Sequence, residues 1–118
     1  MNRLKIKLSG VEMKVLAMTA VNVAKELCPV KDISDLVLTE SLERIWSRLR
    51  NMYRPDKDRY TVQLSAVETS VTTGWIVPCL LLSDDPFMQS FGGRIQQELH
   101  NQINRECNVY NAMNYGKC

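Results

Sequence analysis

The chain has a single histidine, His100, and no second imidazole to work with it. One His on a helical stretch, near Glu98 and Glu106, makes neither a metal site nor a nucleophile–base pair. The four cysteines, Cys28, Cys79, Cys107 and Cys118, include no C-x-x-C pair and no His at ligand spacing. A chain of 118 residues, 45% of them hydrophobic, needs no disulfide framework. The thiols therefore read as free and mostly buried, with Cys118 terminal and exposed. No apolar run reaches the length of a bilayer span, and the longest, Trp75 to Leu82, is interrupted by Pro78. The first residues lack the continuous apolar stretch and cleavage site of a secretory signal, so a cytoplasmic location without membrane association is expected. A net charge of +2 is too small to indicate a polyanionic partner by itself. Gly92-Gly93 is followed by no Lys-Ser or Lys-Thr and is not a phosphate loop. Asp84-Asp85 before Pro86 reads as a helix cap, not a metal pair. These absences argue against an enzyme and leave no cofactor, metal or small-molecule ligand to expect.

What the chain does have is periodicity. Arg3 to Leu8 alternates strictly, with Leu4, Ile6 and Leu8 on one face and Arg3, Lys5 and Lys7 on the other, the period of a half-buried strand. Ser9-Gly10-Val11-Glu12 follows as a capping box, with Leu8 and Met13 placed for a hydrophobic staple. A helix is expected next, with an apolar stripe from Met13 to Leu27 and a stop at Pro29. A second helix runs to about Tyr53 and buries Leu38, Leu42, Ile45, Trp46, Leu49, Met52 and Tyr53, with Asp35 or Thr39 as its cap. Tyr60 to Leu64 alternates again, and Ser65-Ala66-Val67-Glu68 forms a second capping box. The following segment is poor in helix formers, so a strand over residues 71–82 competes with a helix. The capping box favours the helix, kinked near Gly74 or Pro78, with Leu80, Leu81 and Leu82 continuing it into the core. The last helix starts at Asp85-Pro86 and carries Phe87, Phe91, Ile95, Leu99 and Ile103.

The expected fold is α+β and helix-rich: two short antiparallel strands and about four helices in β-α-α-β-α-α order. Residues 1–110 form one globular domain and residues 111–118 a polar C-terminal tail. The match of Lys7-Leu8-Ser9-Gly10-Val11-Glu12 with Gln63-Leu64-Ser65-Ala66-Val67-Glu68 suggests an internal pseudo-repeat. Ser41-Leu42 before Arg44-Ile45 has an echo in Ser90-Phe91 before Arg94-Ile95. A two-stranded sheet has two open edges, which a second copy of the chain would extend, so a homodimer is expected.

Two functional readings stand on these patterns. Apolar stripes without convergent chemistry point first to a small non-enzymatic module that binds itself or a protein partner. The alternative is nucleic-acid binding. Arg44, Arg48, Arg50, Arg54, Lys57 and Arg59 set six cations against two anions, Asp56 and Asp58, and strand pairing would bring Lys5 and Lys7 to the same surface. The bland counterpart of this run is an ordinary solvated helix face, partly neutralised by Glu40 and Glu43. A small-molecule pocket or enzyme ranks third, because it needs polar groups converging from scattered positions.

Overall fold

The computed structural model describes residues 3–115, and the side chains of residues 3–105. Strand β1 (Leu4–Ser9) feeds helix α1 (Gly10–Glu26), and α2 (Ile33–Met52) returns to β2 (Arg59–Leu64). Then come α3 (Ala66–Val71), a π-helical turn (Thr72–Ile76), α4 (Val77–Leu81) and the long α5 (Pro86–Tyr115). Because α3, the π turn and α4 follow without a break, they act as one helix, and the order is β-α-α-β-α-α. The strands pair antiparallel, with Lys5 opposite Gln63 and Lys7 opposite Thr61. Leu4, Ile6, Leu8, Tyr60, Val62 and Leu64 are buried on the inner face against side chains of all the helices. The outward residues Lys5, Lys7, Arg59, Thr61 and Gln63 are exposed, and Ser9 is half-buried.

Both capping boxes are formed. The Ser9 hydroxyl accepts from the Glu12 amide at 3.2 Å while Glu12 accepts from the Ser9 amide at 2.8 Å. Ser65 and Glu68 repeat this at 3.2 and 2.9 Å. The likeness then continues through the buried positions. Met13 and Leu16 of α1 match Thr69 and Thr72; Thr19, Ala20 and Val23 match Ile76, Val77 and Leu80, but only when one residue is skipped in between. The π turn lies at that place. A π turn holds one residue more than an α turn, so it absorbs the extra residue and keeps the buried face in register. Thr72 and Thr73 hydroxyls donate to the carbonyls of Glu68 and Thr69 there, at 2.8 and 2.9 Å.

Several details differ from the sequence reading. Helix α2 starts earlier, with Asp32 as its N-cap accepting from the Asp35 amide at 2.8 Å. The Leu80-Leu81-Leu82 run does not continue into the core: Leu80 is buried, but Leu82 is 85% exposed because α4 ends there. Cys28 lies beyond the end of α1 and Cys79 on the outer side of α4, and both are exposed, not buried. Helix α5 extends through residues 111–115, where a polar tail was expected. The expectations for the side chain of Cys107, for Cys118 and for residues 116–118 lie outside the described residues.

Candidate nucleic-acid interface

Side chains from the two long helices engage both edges of the sheet, at three backbone groups of β1 and one of β2. Gln102 of α5 accepts from the Lys5 amide at 3.0 Å and donates to the Lys5 carbonyl at 2.6 Å. Arg94 of α5 donates to the Lys7 carbonyl at 3.1 Å, and on β2 Arg48 of α2 donates to the Gln63 carbonyl. Lys7 and Gln63 are the matching residues of the two strand-to-cap segments. Each arginine then pairs with the capping-box glutamate of the other half: Arg94 with Glu12 at 2.6 Å, and Arg48 with Glu68. The repeat of the second helices is thus anchored on Arg48 and Arg94, not on Arg44 and Arg94 as the sequence echo has it.

This arrangement leaves the outward face of the sheet free. It presents Arg3, Lys5, Lys7, Arg59, Thr61 and Gln63, all exposed, and neither strand contains an acidic residue. Carboxylates line two open grooves that also take in residues of the sheet face. One, of about 600 Å³, is lined by Arg3, Glu40, Arg44, Arg48, Ser65 and Glu68. Its counterpart, of about 540 Å³, is lined by Lys7, Ser9, Glu12, Asp58, Arg59 and Thr61.

The cationic run of α2 does not stay together. Arg44 is exposed and pairs with Glu40 at 2.9 Å. Arg48 is half-buried, and burial first and the charge of Arg3 second lower its pKa below the ordinary guanidinium value. Arg50 points elsewhere, over the Trp46 ring at 5.3 Å. Arg54 closes the end of α2 by donating to the Asn51 and Tyr53 carbonyls at 2.8 Å. Lys57 lies 5.0 Å from the centre of the Tyr60 ring. Only Arg59 joins Lys5 and Lys7 on the sheet face, together with Arg3, Thr61 and Gln63. Strict alternation in both strands is the sequence signal that ranks Arg3, Thr61 and Gln63 with this face. His100 is exposed on α5. Among the described residues, no three His, Cys, Asp or Glu side chains form a group able to hold a metal ion, and no helix is long and apolar enough to cross a membrane.

Compared with family models, curated proteins and solved structures, the chain matches none.

Proposed function

We propose that this protein binds duplex DNA by laying the outward face of its two-stranded sheet in the major groove. The observation that carries this reading is the face itself: four cations and two amide- or hydroxyl-bearing side chains, with no acid in either strand. A B-form major groove admits a two-stranded ribbon, and its base edges suit these residue types. Arg and Lys donate to guanine, Gln pairs with adenine in both directions, and the Thr methyl packs on thymine. The deep, narrow major groove of duplex RNA would not admit the ribbon. Arg48 and Arg94 hold the ribbon edges and position the face without reaching bases. The role is non-enzymatic, and one chain supplies both strands, so the binding unit is a monomer.

The reading is tested by fluorescence anisotropy with duplex DNA and duplex RNA over a salt series, with light scattering on the same sample. Binding to DNA is expected to weaken with salt at a slope of about −3 to −4 in log–log form, one unit per cation engaged. The pair Lys5→Glu and Lys7→Glu is expected to abolish it, while Arg50→Glu leaves it unchanged. No DNA binding at low salt, or equal sensitivity to Arg50→Glu, sinks the proposal.

A further inference from the structure

The two halves differ most in how their helices meet. Aligned on Arg48 and Arg94, Trp46 stands where the second half has Gly92. A Cβ at Gly92 would lie 2.8 Å from the Leu80 Cβ and 3.4 Å from the Leu81 amide, so α4 and α5 close tightly there. In the first half the Trp46 side chain occupies the same place and only part of it is covered. Two adjoining apolar pockets lie along the α1–α2 seam, both lined by Trp46, with volumes of about 280 and 240 Å³. The α1 wall is made of small residues, Ala17, Ala20 and Ala24, with exposed Met18 beside them. From Lys14 to Cys28 this trough is about 20 Å long at the rise of an α-helix.

Charge marks what it fits. Lys14, Lys25 and Arg50 stand among the pocket residues, against one carboxylate, Glu43. A trough of this length suits three or four turns of helix, read by apolar side chains at i, i+3, i+4 and i+7. Polarisable Met18 and the Trp46 ring adapt to such side chains.

We infer that the α1–α2 seam docks an amphipathic helix with acidic flanks, presented by a partner protein. The seam uses no residue of the ribbon face, so this inference stands or falls separately from DNA binding. The probe is a labelled synthetic helical peptide with a leucine stripe and glutamate flanks, set against a counterpart with lysine flanks, each titrated into the full chain. The acidic peptide is expected to bind about tenfold more tightly than the lysine one at low salt. The exposed-site variant Lys14→Glu, Lys25→Glu, Arg50→Glu is expected to reverse that preference while keeping a cooperative thermal transition. In NMR spectra the Trp46 indole resonance should move with the acidic peptide and that of Trp75 should not. Equal binding of both peptides, no binding, or a stationary Trp46 signal overturns the inference. So does a concentration-dependent dimer that shields Trp46, which would give the seam to a second copy.

Discussion

The Glu12 carboxylate meets the Arg94 guanidinium at 2.6 Å, so the capping box that starts α1 is completed by the last helix of the chain. One Glu12 oxygen serves the Ser9 amide and the other serves Arg94. Glu68 divides its two oxygens in the same way between Ser65 and Arg48. Each half therefore locks the strand-to-helix joint of the other.

Removing either arginine should cost more than an exposed ion pair does. Arg94→Met leaves the Lys7 carbonyl and Glu12 without their charged donor, a loss of about 1–2 kcal/mol. Arg48→Met should cost somewhat more, since the Glu68 side chain is only 10% exposed and loses its partner in a drier place. Urea midpoints of the single variants, with double-mutant cycles of Arg94→Met with Glu12→Gln and of Arg48→Met with Glu68→Gln, read both effects. Midpoints that stay at the parent value would show the clamps to be ornamental.

Neighbouring glycines should respond with opposite signs. Gly92→Ala forces a Cβ against Leu80 and should destabilise by about 1–2 kcal/mol after the gain in helix propensity is counted. Gly93 has nothing within 4 Å of its would-be Cβ, so Gly93→Ala should stabilise by up to about 1 kcal/mol. Thermal melts of the two variants decide this, and a shift in the same direction for both would refute the close approach of α4 and α5.

Arg3 works against the fold that it decorates. Its charge and the burial of Arg48 both disfavour the charged form of Arg48. Folded Arg48 therefore releases its proton at lower pH than the unfolded chain does. By linkage, stability from this group rises with pH only in the strongly alkaline range just below the ordinary guanidinium pKa, and contributes no pH dependence near neutrality. Arg3→Gln should accordingly raise the melting midpoint by about 1–2 °C at low salt, with the gain fading in high salt. A midpoint that falls would mean that Arg3 stabilises its neighbourhood.

Local chemistry was legible in the sequence. Both capping boxes, both strands, the Asp85 cap before Pro86 and the Glu40–Arg44 pair are determined by residues within one turn of each other, and all are present. What escaped was set by distance along the chain. No period reveals that Arg48 faces Glu68 or that Arg94 faces Glu12, although the repeated Glu at the third helical position was half of the signal. The segment after Val71 looked poor for a helix because its threonines and Gly74 have low propensity. Packing of Thr72, Ile76 and Val77 outweighs that, and the threonine hydroxyls satisfy carbonyls that the π turn loosens. The cationic run divides for a simple reason: a helix turns, so neighbouring arginines leave on different sides. Arg50 went to the seam, Arg54 to the helix end, and only Arg59 to the sheet.

Residues 53–58 tie α2 to β2, with the Tyr60 hydroxyl holding the Arg54 and Lys57 carbonyls at 2.9 and 3.0 Å. Because α1, α2 and this short tether join β1 to β2, the meeting of the two strands is an event within one molecule. Dilution cannot separate them, as it would separate two identical subunits. It also frees each strand from copying the other. A change at Lys5 is not echoed across the ribbon, and the chain already shows the outcome: lysines on one strand, threonine and glutamine opposite them on the other.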